Sequence, residues 1–318
     1  MKAMSKMFLI ISAIIAVVGG ALMITGNAMA KNQGVQLFPE KIDGKYIYTL
    51  DLADKEITKI SIDATDADIE VHTGSEKDYI EFINFNENYY SISTTNKVVK
   101  FEERVSLESI ISFWDGNYTF KGVRSILNLG GSPDGKKEVH IYLKSTSLIN
   151  VFSFSITEGN ITVKNADSNT DYVITMDSGC VTMENVSTES KVMINGNKCD
   201  LRFKKCSFKY FASDIANVIM NAEISDVHSF EFTGKNGTFD SSITVDSELT
   251  DVRISSEGPF TYNDQVYNTD YSNNDKTVNI TDEFAIVHID GADINIKTSV
   301  KVQQPEAEAE ESEETPED

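Results

Sequence analysis

Reactive side chains are scarce in this chain. Three cysteines and four histidines are spread over 318 residues. Cys180, Cys199 and Cys206 have no C-x-x-C spacing and no histidine nearby, which argues against a zinc site. An odd, sparse set is not a disulfide framework, although one bridge within the trio stays open. Two of the three fall on or beside apolar columns and read as small buried hydrophobes. Basic charge is also short: 28 Lys and Arg against 50 Asp and Glu give a net charge of −22. Such a surface repels phosphate backbones and anionic headgroups, so no nucleic-acid partner is expected. No G-x-S-x-G, H-E-x-x-H, P-loop or dinucleotide fingerprint occurs, so neither a cofactor nor catalytic residues are expected. His72, His140, His228 and His288 lie far apart, each in a strand-like run and opposite its apolar positions. They read as solvated strand-face residues.

What the chain does have is a period of 20 residues over 152–206. Phe152, Tyr172 and Val192 share a column, and Phe154, Ile174 and Ile194 the next. Ile161, Val181 and Leu201 follow, then Val163, Met183 and Phe203, then Ala166, Val186 and Cys206. Gly159, Gly179 and Cys199 hold the corner between the two halves. Alternation with period two marks strands buried on one face, and a fixed period of about 20–50 residues marks one unit stacked on its copies. The expected fold is all-β: a β-solenoid of roughly 20-residue coils whose columns touch at about 4.8 Å. Cys199 predicts an altered third corner, and Asn165 and Asn185 share a column suited to an amide ladder.

The ends differ in kind. Residues 1–6 form a stub with Lys2 and Lys6, followed by an uncharged apolar run at 7–25. That run is long enough to span a bilayer as a helix, and Ala28-Met29-Ala30 offers a cleavage site. It reads either as an uncleaved anchor or as a leader cut after Ala30, with everything beyond exported in both cases. Residues 26–56 read as a juxtamembrane segment with one hairpin, 57–302 as the solenoid, and 303–318 as a disordered acidic tail. Residues 103–114 fit one helical face. After Cys206 the period slips, and aligning the next apolar pairs calls for about three extra residues. The polar stretch 263–277 reads as a surface loop.

Several segments carry a resemblance. They are the apolar N-terminal run, ITKISIDATDADIEV at 57–71, VHIYLKS at 139–145, and the corners Gly159-Asn160-Ile161 and Gly179-Cys180-Val181. Together they resemble a bacterial family of unknown function labelled "putative adhesin", which includes LiaG-like and YvlB-like envelope proteins. Lys144 and Cys199 depart from its pattern. The resemblance implies a solenoid-like ectodomain at the cell surface, and architecture alone does not fix its function.

The leading functional expectation is a non-enzymatic, membrane-anchored surface protein that binds a surface polymer or an envelope protein, as in adhesion. Tyr262, Tyr267 and Tyr271 are its proposed contact residues, against a plain role in loop packing. A second reading is an envelope-stress accessory that modulates a membrane sensor, with Gly19-Gly20 allowing close helix packing. A third is a polysaccharide-acting enzyme, but Asp177, Glu184, Asp200 and Glu223 fall in different columns rather than as a facing pair. Asp63, Asp66 and Asp68 read as a polar turn, lacking the glycine and terminal glutamate of a calcium loop.

Overall fold

The computed structural model describes residues 40–53, 55–86, 90–103, 135–227, 229–245, 251–256, 260–262, 265–267, 271–272, 284–289 and 294–302, with side chains as far as Glu231. The apolar run at 7–25, the helical reading beyond Glu103 and the tail from 303 lie outside these residues. Among the described residues every regular element is a strand, and no helix is long and apolar enough to cross a membrane.

The chain enters through a hairpin, β1 (Glu40–Ile42) and β2 (Lys45–Asp51). Asp43 and Gly44 both take positive φ, 49° and 84°, as a two-residue hairpin turn of the twist-matching kind requires. Then comes the long strand β3 (Lys59–Thr73), followed by β4 (Tyr79–Ile83), β5 (Tyr90–Thr95), β6 (Val98–Glu103) and β7 (Lys137–Leu143). On one edge β3 pairs in parallel with β8 (Val151–Lys164) along nearly its whole length. On the other edge its first half pairs in parallel with β6 and its second half with β7. β6 and β7 thus occupy one layer below β3, although they follow it in sequence. Glu103, at the end of β6, fixes this layer: its carboxylate accepts from the Thr65 amide at 3.0 Å and from Lys137 Nζ at 2.6 Å. β4 adds antiparallel to β7, and β2 antiparallel to β4.

Above β3 the stack follows chain order. β8 is followed by β9 (Asp167–Ser168), β10 (Asp171–Glu184) and β11 (Ser187–Val227), which bends through two layers. Tyr172 is the Cα partner of both Phe152 and Val192, and Val181 of both Ile161 and Leu201. The downward register runs Phe152–Ile60–Val99 and Ile161–Ile69–Val139. Every residue in these two columns is essentially without solvent exposure. Apolar burial at about 25 cal/mol per Å² is what makes each layer depend on the next.

Two kinds of corner connect the halves. Gly159 and Gly179 take φ of 143° and 140°, and a Cβ on Gly179 would lie 1.8 Å from the Gly159 carbonyl oxygen. Cys199 leaves the left-handed region, and its buried thiol turns toward the Met176 carbonyl. In the other corner Asn165, Asn185 and Lys205 repeat a φ near 52°, and Asn185 Nδ2 donates to Asn165 Oδ1 at 3.0 Å.

Beyond Cys206 the expected insertion is absent. The buried positions Phe211, Ser213, Met220 and Ala222 follow Val192, Ile194, Leu201 and Phe203 at 19 residues, so the layer is one residue shorter. The next offset is again 19: β12 (Ser229–Val245) pairs in parallel with β11, setting Phe230 on Phe211 and Phe239 on Met220. The chain then forms β13 (Asp251–Ser256), the hairpin β14 (Phe260–Tyr262) and β15 (Gln265–Tyr267), β16 (Tyr271–Ser272), β17 (Phe284–Ile289) and β18 (Ile294–Val302). β17 and β18 together pair with β12, and β13 lies on the far side of β17. The stretch 263–277, expected as loop, therefore carries β15 and β16.

Candidate functional site

Parallel pairing of β3 with β7 sets Glu70 beside His140 and His72 beside Tyr142. Ile69, Val71, Val139 and Ile141 point into the core, so the residues between them point outward on one face. The alternation that fills the core thus lines up polar side chains across strands. His72 Nε2 lies 3.2 Å from His140 Nδ1 and 3.3 Å from Glu70 Oε2. Glu70 Oε2 is 3.6 Å from His140 Nδ1. Among the described residues, these three side chains are the group whose metal-ligating atoms converge.

A second carboxylate orients the cluster. His140 Nε2 lies 3.2 Å from Glu138 Oε2, and Glu138 also accepts from Lys45 Nζ at 3.2 Å. Burial raises the Glu138 carboxyl, but the hydrogen bonds from His140 and Lys45 outweigh it and hold its pKa below the ordinary value. Glu138 is therefore an ionised acceptor at neutral pH. In the tautomer that donates from Nε2 to Glu138, His140 turns its Nδ1 lone pair toward His72. Burial lowers the His72 pKa; Glu70 opposes this, and His140 and Lys164 reinforce it. Tyr142 stacks on His72 at 4.7 Å and on Tyr79 at 4.5 Å, forming an aromatic wall beside the imidazoles. Burial, with Glu81 adding to it, raises both phenols. The Tyr142 ring and Glu138 leave the His140 side chain 18% exposed, against 40% for His72.

Glu70 also borders a shallow trough of about 670 Å³ that runs across β3, β8, β10 and β11 beside Glu158, Asp200 and Arg202. The acids weighed for glycoside cleavage are engaged singly. Asp177 accepts from Asn197, Glu184 lies between Lys164 and Lys204, and Asp200 pairs with Arg202. Glu223 is exposed on β11. Asp63 and Asp66 are exposed on β3, whereas Asp68 is tied to Asn160 and Lys136. Tyr262 and Tyr267 fall on the β14–β15 hairpin, and Tyr271 on β16, where it pairs with Ile254. All three cysteines are free thiols, Cys199 and Cys206 buried and Cys180 partly so.

The expectation of four separate, solvated histidines is corrected for one pair. His72 and His140 meet, because β7 occupies the layer directly below β3. The 20-residue period gives no hint of this contact. The signal is present in another form: Ile69-Glu70-Val71-His72 and Val139-His140-Ile141-Tyr142 share an alternation, and overlaying them puts the two histidines on adjacent strands.

No family model matches the chain, and no curated protein matches it. Among the solved structures that overlap with it are three adhesin-like proteins by their own names. A putative cell adhesion protein from Clostridium sporogenes is 13% identical, with a TM-score of 0.25, covering 82% of this chain and 100% of its own. A putative adhesin from Parabacteroides distasonis is 10% identical, with a TM-score of 0.32, covering 80% of this chain and 97% of its own. A putative adhesin from Bacteroides fragilis is 9% identical, with a TM-score of 0.34, covering 82% of this chain and 99% of its own. Overlap at that level leaves function to be read from this chain's own residues.

Proposed function

We propose that this chain is a non-enzymatic, membrane-tethered surface protein of bacterial type whose exported region is a β-solenoid that binds a surface polymer or envelope component. The observation that carries this reading is the register of the outward positions. Residues 20 apart repeat their side-chain contacts from layer to layer: Asn185 on Asn165, Asn197 on Asp177, Lys204 on Glu184, Lys209 on Glu189. Rows of polar groups at about 4.8 Å spacing on a rigid, in-register sheet make a face suited to a partner with its own regular spacing. Rigidity lowers the ordering cost of binding. The apolar segment at 7–25 serves as the tether, and Tyr262, Tyr267 and Tyr271 serve as contact residues at the far end of the chain.

In-cell cross-linking of the full-length protein, followed by mass spectrometry, tests this. Capture of wall polymer or surface components supports it, and replacing the three tyrosines by alanine should then weaken the capture. Recovery of one specific sensor or transporter would overturn it in favour of the envelope-stress accessory. Turnover of envelope glycans by the purified chain would overturn its non-enzymatic character. The N-terminal peptide, Met1 or Lys31, reports whether the tether is retained.

A further inference from the structure

We propose that Glu70, His72 and His140 form a binding site for a divalent transition cation of the zinc class, with Glu138 as the outer carboxylate that orients His140. The first support is the shape of the donor triangle. Its edges are 3.2, 3.3 and 3.6 Å. Ligand atoms held about 2.05 Å from a tetrahedral zinc ion are about 3.3 Å apart, so the three donors already occupy three vertices of such a tetrahedron. The circle through them has a radius of about 1.95 Å, so an ion about 2.05 Å from all three would sit about 0.6 Å above their plane, close to the tetrahedral value of about 0.7 Å.

The second support is independent of the triangle. A metal-bound histidine commonly donates its remaining ring N–H to a carboxylate, which fixes tautomer and orientation. His140 does this toward Glu138, and Lys45 holds Glu138 in place. The lone pair of Nδ1 is thereby committed to the triangle. Ligation through His72 Nε2 requires any proton there to leave that atom, for Nδ1 or for solvent, so that both imidazoles bind as neutral ligands. Two imidazoles and one carboxylate suit borderline cations and not the oxygen-seeking Ca²⁺ or Mg²⁺. The fourth position is left to water or to a donor from a bound molecule, and His72 and Glu70, at 40% and 43% side-chain exposure, leave it open to solution. A bound ion would clamp β7, and the antiparallel strands attached to it, onto β3.

The test uses the tag-free full-length chain in detergent, titrated calorimetrically with Zn²⁺ and spectroscopically with Co²⁺. The expected result is one Zn²⁺ per chain at micromolar affinity or tighter, insensitive to millimolar Ca²⁺ or Mg²⁺, with the intense visible bands of four-coordinate Co²⁺. His72→Ala should weaken binding by more than about 100-fold, and Glu138→Gln by about 10–100-fold, the usual cost of losing an outer carboxylate. The His72 side chain is 40% exposed and outside the apolar core, so without metal its variant should melt within a few degrees of wild type, the cost of the lost Tyr142 stacking, and that measurement separates lost ligation from lost fold. Absence of saturable 1:1 binding would overturn the site. So would unchanged affinity in His72→Ala, or displacement of Zn²⁺ by Ca²⁺, the mark of loose association with surface acids.

Discussion

Replacing Gly179 by alanine should destabilise the stack strongly, and the structure separates the reasons. Gly179 has φ of 140°, and a Cβ there would lie 1.8 Å from the Gly159 carbonyl oxygen and 2.9 Å from its carbon. An L side chain at such a φ costs about 1–2 kcal/mol in backbone strain. The contact is worse, because the atom in the way is the main chain of the layer below. Relief requires the layers to part by more than 1 Å at the corner, disrupting about two ladder hydrogen bonds worth about 1 kcal/mol each. The sum is about 3–4 kcal/mol, a factor of a few hundred in the folded-to-unfolded ratio. Gly44 supplies the control: its φ is also positive, at 84°, but a methyl added there would meet nothing within 4 Å, so Gly44→Ala should cost only about 1 kcal/mol. Urea unfolding, followed by far-ultraviolet circular dichroism, compares the two with wild type. If Gly179→Ala costs no more than Gly44→Ala, the close approach of the layers is wrong and φ alone explains the glycine.

Three further outcomes follow from the same stack. Val181→Asp places an unpaired carboxylate in a column with no solvent exposure and should cost several kcal/mol in the same urea assay; a wild-type midpoint would remove Val181 from the core. Lys205→Asn should stabilise by about 0.5–1 kcal/mol, because asparagine tolerates the φ of 52° and extends the Asn165–Asn185 amide row; a lower melting temperature would show that the row ends for a reason. Burial pushes the Cys199 and Cys206 thiols up to about 11, so iodoacetamide at pH 8 should label Cys180 in the native protein and the other two only after unfolding. Because their folded pKa lies above the unfolded value, the unfolded state loses these protons first, and stability should fall as pH rises from about 9 to about 11. Stability that stays flat across this window would contradict their burial.

The central layers are legible in the sequence because their information is local. Period-two alternation and a fixed 20-residue spacing state both which side faces in and which residue lies above which, and Phe152, Tyr172 and Val192 stand where that arithmetic puts them. The altered corner at Cys199 is legible too, since a residue with a Cβ cannot take the φ of Gly159 or Gly179. The change of spacing after Cys206 is misread when Val218 and Met220 are aligned without Phe211, the residue whose burial reveals a layer of 19. The Glu70–His72–His140 cluster escapes for a different reason. Its members lie in layers whose vertical order is not their chain order, and no periodicity encodes such an inversion.

That inversion has a structural logic that both ends of the sheet share. At one end β6 and β7 sit beneath β3, although they come after it. At the other, β17 lies between β12 and β13, although it follows β13 in sequence, and β18 pairs with β12 alongside β17. In each case the chain overshoots and returns, so the order of strands in the sheet departs from their order in the chain. The outer strands at the first end are β1, three residues long, fully exposed and reading Glu-Lys-Ile, and β5, set antiparallel on β6. At the second, β16, of two residues, is set antiparallel on β13, and β18, of nine residues, lies parallel on β12. Short or charged edges are among the ways a sheet avoids pairing with a second copy of itself. A stack built only of successive in-register layers would present a full-length strand at each end and grow by end-to-end addition. The out-of-order layers that terminate it are also what bring Glu70, His72 and His140 together, so the site lies where the chain stops the stack from growing.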